Sequence, residues 1–213
     1  SETGGTEPAP SRAGLIEVPV LSDASGRSWL LPACRLVPGG ADGDLLESAD
    51  VGAALSDSLL DAARLMARRL GPGRHDVTFA ISAGSQPRLV PDSLDGWALA
   101  EELVGVDLAS GPGTPSRTDR GQALPAALSS VQPPPASGHA VEARLRAASA
   151  SANARLLHRR LPQGPGVRVV QAAEVGSVVG DGVLLRVVAH GMDRPTALAR
   201  LQRALASCAM IVE

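Results

Sequence analysis

The sequence predicts an α+β fold with a mainly antiparallel sheet and flanking helices. Three observations carry that prediction. Short apolar runs come in pairs around turn residues, as at 15–21 and 28–31 on either side of Asp23-Ala24-Ser25-Gly26. Two longer segments instead repeat apolar residues at spacings of three and four: Leu55, Leu59, Ala63, Met66 and Leu70, then Leu198, Leu201, Leu205 and Cys208. At 213 residues the chain is long enough to bury one good core or two small ones.

Taken in order, residues 1–13 are Ser, Thr, Gly, Pro and Glu with almost nothing to bury, and read as a flexible tail. Ile16, Val18 and Val20 open a β-hairpin that closes with Ser28-Trp29-Leu30-Leu31. A helix is predicted over 54–70, stopped by Gly71-Pro72-Gly73. Residues 76–81 and 88–90 read as two short strands, and a second helix as 95–104. Between 109 and 137, Ser110-Gly111-Pro112-Gly113 and Gln132-Pro133-Pro134-Pro135 mark a linker or long surface loop. Strands follow at 139–146, 166–170, 175–179 and 183–189. The last helix has Asp193 as N-cap and Pro195 in its first turn. The expected domains are therefore 14–108 and 138–213, separated by the 109–137 loop.

Composition removes several functions. All 20 basic residues are arginine, so this chain supplies no Walker-type phosphate lysine, no Schiff base and no biotinylated lysine. A net charge of −2 with one Phe, two Trp and no Tyr argues against a nucleic-acid partner. No apolar stretch approaches ~18 residues, so no membrane span is expected and a cytoplasmic location is. Cys34 and Cys208 lie far apart with no ligand-spaced partner, which reads as two buried thiols rather than a disulfide or zinc site.

Gly138-His139-Ala140-Val141-Glu142-Ala143-Arg144 resembles the G-H-A-[IV]-E-[AC]-R signature that opens the C-terminal domain of biotin carboxylases. Gly164-Pro165-Gly166-Val167-Arg168-Val169, residues 180–191 and the 193–205 helix resemble later segments of that domain in the same order. Ile16-Glu17-Val18-Pro19-Val20-Leu21 and Glu101-Glu102-Leu103-Val104-Gly105-Val106-Asp107-Leu108 resemble segments from the second half of the family's ATP-grasp fold. The likeness covers roughly 15–213, without the family's amino-terminal nucleotide-fold domain or its glycine-rich lid.

The resemblance implies ATP, magnesium, bicarbonate and biotin in the active relatives, and it locates where their chemistry would sit. A transferring phosphoryl group needs fixed positive charge, and magnesium needs hard oxygen ligands. The family's bicarbonate-site lysine falls on Asp44. Exchanging attraction for repulsion ~4 Å from an anion at an effective dielectric of ~20 costs on the order of 8 kcal/mol. One magnesium carboxylate falls on Thr78, and the second falls in 89–97 with no placement that restores the set. Asp76, Asp92 and Asp95 are a conceivable substitute metal site, but helix caps or solvated loop acids explain them more simply. Arg144 survives as a remnant of the biotin and bicarbonate pocket, with pairing to Glu142 as its structural alternative. His139 and His190 match family strand positions and read as satisfied structural histidines, while His75 and His158 have no partner pattern. Asp181 falls on the surface through which biotin carboxylases pair.

The function expected is a catalytically inactive binding or structural subunit of an acyl-CoA carboxylase-type assembly, with no catalytic residue, metal or cofactor of its own. Its partner would be a carboxylase subunit or a second copy, reached through the C-terminal domain. Two alternatives stand beside it. One is part of a split or diverged ATP-dependent carboxylase, and the other is a small-molecule binder with an uncharged cavity near Arg144 and Trp97.

Overall fold

Strand β1 (Leu15–Ser22) is buried along its whole length, as an apolar strand must be when both faces of its sheet are covered. A computed structural model describes residues 14–37, 44–49, 57–81, 87–91, 93–104, 136–147, 153–179 and 182–213. β1 turns through Asp23–Gly26 into β2 (Ser28–Leu30), pairing Val20 with Leu30 and Ser22 with Ser28. β3 (Cys34–Val37) and β4 (Asp44–Ser48) follow, then helix α1 (Asp57–Leu70) and strands β5 (Gly73–Ala80) and β6 (Arg88–Val90). Helix α2 (Trp97–Val104) precedes β7 (His139–Arg146), β8 (Leu156–Arg160), β9 (Val167–Ala172) and β10 (Val183–Gly191). Helix α3 (Arg194–Ser207) and β11 (Ala209–Val212) end the order.

The main sheet has nine strands in the order β6-β5-β1-β3-β4-β7-β10-β9, with β2 attached to β1. Every pairing in it is antiparallel. β4 pairs with β7 (Leu46 opposite Glu142), so the sheet is continuous between the elements before residue 105 and those after 135. β8 and β11 form a separate two-stranded ribbon.

Alternation along the strands sorts the core into two layers. Ile16, Val18, Val20, Val77 and Phe79 pack on Ala63 and Ala67 of α1. Further along that face, Val141, Ala143, Leu185, Val187 and Ala189 meet Ala197, Leu201 and Ala204 of α3. On the other face Cys34, Leu36, Leu46, Ala140 and Val188 pack against Leu99 and Leu103 of α2. Each Val, Leu, Ile or Phe among these contributes about 1.5–3 kcal/mol on burial. The predicted cap is present: the Thr196 N–H donates to Asp193 Oδ1 (2.8 Å), with Pro195 in the first turn.

Gly138, which opens the signature strand, has φ +73, and a Cβ there would overlap the carbonyl oxygen of Gly191 across the β7–β10 pair. Gly138→Ala is expected to destabilise the fold by about 2 kcal/mol, read as an earlier urea midpoint with an unchanged m-value.

Four expectations need correction. Residues 175–179 are no strand: Val175 and Gly176 (φ +87) make a turn, leaving a single bridge between Val178 and Arg155. The short β3, β4, β8 and β11 carry no strand signal in the sequence, because four or five residues beside Gly, Pro or a helix end give too little alternation. Cys208 is only partly buried, whereas Cys34 is fully so; both thiols are free. His139 is not satisfied, for its Nε2 is buried without a hydrogen-bond partner among the described residues. The 1–13 tail, nearly all of the 109–137 loop, Asp92 and Asp181 lie outside the described residues.

Candidate functional site

The face of the sheet covered by α2 carries a row of polar groups, because the same alternation that sends Val18 and Val187 to one side sends Glu17 and Arg186 to the other. β5 contributes Arg74, Asp76 and Thr78, β1 contributes Glu17, β7 contributes Glu142 and Arg144, and β10 contributes Arg186. The segment 93–96, which leads into α2, closes over them.

Glu17 is fully buried. Its Oε2 accepts from the Leu94 N–H at 2.5 Å and its Oε1 from the Gly96 N–H at 2.7 Å. The Thr78 hydroxyl donates to Oε2 at 3.3 Å, and Ser93 Oγ lies at the same distance from it. The carboxyl thus fixes the chain entering α2 and sits at the positive end of that helix. Only glycine fits at 96, since a Cβ would overlap Cys34 Sγ and lie 3.1 Å from Glu17 Oε1.

Burial, then the charge of Asp76, pushes the Glu17 carboxyl up from about 4.5 to about 7, against the lowering effect of the two backbone N–H groups. Asp76 in turn accepts from Ser93 Oγ (2.7 Å) and from the Trp97 indole N–H. The Trp97 ring lies under the Arg74 guanidinium, 4.3 Å from its centroid, and Arg74 reaches Glu101 at 2.5 Å.

The second half of the row is a charge-balanced cluster. Glu142, also fully buried, accepts from Arg144 Nε (2.6 Å) and from Arg186 Nε and Nη2 (2.8 and 3.1 Å). Arg186 also donates to the Asp95 carboxylate (2.6 Å) and carbonyl (2.9 Å), and Arg144 Nη2 reaches that carbonyl at 3.0 Å. Asp95 has φ +53, the one non-glycine residue in the left-handed region among those described. That conformation aims its carbonyl at both guanidiniums, whose bonds offset the strain. Burial works against the charge of Arg186, but Glu142 and Asp95 outweigh it and raise its pKa above the ordinary arginine value.

On the opposite face, buried Glu47 binds Arg35 Nε (2.7 Å) and Arg194 Nε (2.6 Å), with His139 Nε2 at 3.9 Å. Burial alone would raise the Glu47 pKa; Arg194 and Arg35 hold it below the usual carboxylate range. Burial lowers that of His139.

Thr78 is buried in β5, with its hydroxyl committed to Glu17. Arg144 has the Glu142 partner considered from sequence and a second one at Asp95. Asp44 opens β4, its backbone in register with Arg144. Asp76 and Asp95 serve Ser93, Trp97 and Arg186, and among the described residues no three His, Cys, Asp or Glu groups form a metal-binding set. His75 bonds the Gly71 carbonyl and His190 that of Ser137. Sequence reasoning did not single out Glu17 or Arg186. The signal was present, since each is a lone charge inside an apolar strand, Ile16-Glu17-Val18 and Leu185-Arg186-Val187, and such a charge requires a partner.

No protein-family model matches the chain. The biotin-dependent acyl-coenzyme A carboxylase alpha3 subunit of Mycobacterium leprae is 32% identical over 115 residues, covering 50% of this chain and 18% of that protein. Among solved structures, the biotin carboxylase domain of Hydrogenobacter thermophilus 2-oxoglutarate carboxylase, in complex with MgADP, ADP and bicarbonate, superposes with a TM-score of 0.68 at 16% identity. That match covers 93% of this chain and 46% of the other. Campylobacter jejuni biotin carboxylase, in a β-γ-ATP complex, gives a TM-score of 0.66 at 17% identity over 97% of this chain and 48% of its own. The chain has the fold of about half of a biotin carboxylase domain and spans less than a fifth of the curated relative. No helix among the described residues is long and apolar enough to cross a membrane.

Proposed function

We propose that this biotin-carboxylase-like chain is catalytically inactive and serves as a binding or structural subunit of an acyl-CoA carboxylase-type assembly. The observation that carries the reading is that the polar groups beneath α2 are occupied by one another. Arg144 is held between Glu142 and the Asp95 carbonyl. Thr78 stands where a magnesium ligand is expected and spends its hydroxyl on Glu17. The Glu17 carboxylate is itself committed to Leu94 and Gly96. A phosphoryl-transfer site needs cations and hard oxygen ligands left free for the nucleotide and its metal. The residues present do not fit that group.

What remains is a framework able to present a surface, and the Mycobacterium leprae relative is by name one subunit of a larger enzyme. Asp181, which the resemblance matches to the family's pairing surface, is assigned to the contact proposed. Two measurements test the reading. Native mass spectrometry of the complex drawn from its own cells is expected to show a carboxylase polypeptide bound, and titration calorimetry with Mg-ATP is expected to be flat. A chain that elutes alone at native concentration, or one that turns over ATP when biotin is added, overturns it. The second of those results identifies part of a split carboxylase instead.

A further inference from the structure

Charge is divided unevenly along this chain. Residues 138–213 hold ten arginines against five acidic residues, while residues 1–137 hold ten against seventeen. In the basic part several guanidiniums are fixed by backbone carbonyls instead of carboxylates. Arg155 Nη1 donates to the Gly176 carbonyl (2.7 Å) and Arg160 Nε to that of Ser207 (2.7 Å). Such a bond orients a guanidinium without neutralising it. Both arginines lie on the outer face of the β8–β11 ribbon.

The register of that ribbon shows what else is there. His158 pairs with Ile211 and Leu156 with Val212, so Leu157 is an extra residue in β8. A bulge of this kind places two successive side chains opposite one. Leu156 points inward and is fully buried, while Leu157 and Ile211 stay 47% and 53% exposed. On the other side of β8, Val178 bridges to Arg155 and is 51% exposed. The outer face thus carries Leu157, His158 and Ile211 at its middle, Arg160 at one end, and at the other Arg155 between Val178 and Glu213. Its own acid is Glu213, backbone-paired with Arg155.

We propose that this face docks an acidic polypeptide segment, which lays apolar side chains on Leu157, Ile211 and Val178 and sets carboxylates against Arg155 and Arg160. Apolar exposure at the centre with cations at the margin is the complement of such a segment. Nucleic acid fits it less well, since no Phe, Tyr or Trp is among the residues of this face and its one ring is His158. The inference holds whether or not the partner is a carboxylase.

The probe is a dodecapeptide of alternating Leu and Glu, titrated into the full chain by fluorescence anisotropy, beside a control peptide with Ser in place of Leu. Binding is expected to weaken about ten-fold in Leu157→Ser/Ile211→Ser and in Arg155→Gln/Arg160→Gln. It should also weaken as salt rises from about 0.05 to about 0.5 M. All of these substitutions are at exposed positions, and the thermal midpoint of each variant reports that it is folded. The proposal is overturned if the Leu/Glu peptide does not bind, if both double variants bind it as the parent does, or if the Ser control binds equally well. It is also overturned if duplex DNA or anionic vesicles displace the peptide more effectively than unlabelled peptide does. Concentration-dependent self-association that the Leu157→Ser/Ile211→Ser change abolishes assigns the face to a second copy and likewise refutes it.

Discussion

Arg186→Met is expected to lower the unfolding free energy by about 3 kcal/mol, at the lower end of what breaking a buried ion pair costs. Arg186 is 6% exposed and supplies two of the three hydrogen bonds that reach the Glu142 carboxylate from guanidinium groups. Without it, Glu142 keeps Arg144 as its counter-charge, which is why the loss is not larger. Asp95 loses its carboxylate partner and one of the two donors holding its carbonyl, and its left-handed backbone is left with less to offset the strain. The loss is confined to the face beneath α2, because α1 and α3 pack on the other face and keep their cores. Urea unfolding of Arg186→Met, Glu142→Gln and the double variant gives the coupling directly. The double variant should be less destabilised than the two single losses added together, since removing both charges leaves neither buried alone. Strict additivity would mean that the pair contributes nothing through its own contact, and that the cluster is no substitute for a ligand.

The elements with strong periodicity were legible before any coordinates: β1 with β2, α1, α3 and β7 each carry a run long enough for alternation or helical spacing to stand out. β3 and β4 were not, because Cys34–Val37 and Asp44–Ser48 are short and their burial is decided by neighbours from β1 and β7. The turn at Val175–Gly176 shows the converse error. Its valines are β-prone, but the positive φ of Gly176 and the backbone bonds between Leu156, Gly176 and Ser177 set the geometry there. At the site, the resemblance reads Asp44 and Thr78 as changed family positions, and the sequence offers Glu142 as a partner of Arg144, a bond the structure contains. It did not reveal that Asp95 would turn its carbonyl onto two arginines, or that Glu17 would anchor α2. Both depend on residues about 50 to 90 apart in the chain meeting across the sheet.

The contribution of Glu17 to stability is expected to fall as pH rises from about 4.5 to about 7, while His139, whose pKa burial lowers from 6.5, acts with the opposite sign in the lower part of that window. Folding buries its carboxyl and places it near Asp76 and Asp95, so the native state holds a proton that the unfolded chain has already released. Wherever the native state binds more protons, the unfolding free energy decreases with pH. Over that window the loss attributable to Glu17 is about 3 kcal/mol, and it levels off above pH ~8. Carboxyls held below their usual range, such as Glu47, act with the opposite sign and at lower pH. Glu17→Gln removes the titrating proton while keeping one acceptor for the Leu94 or Gly96 N–H. Its urea midpoint should lie close to or below that of the parent near pH 5, gain on it steadily to pH 7.5, and run parallel above that. Curves that stay parallel from pH 5 to 8 would mean that Glu17 is ionised throughout, with the hydrogen bonds from Leu94 and Gly96 dominating over burial.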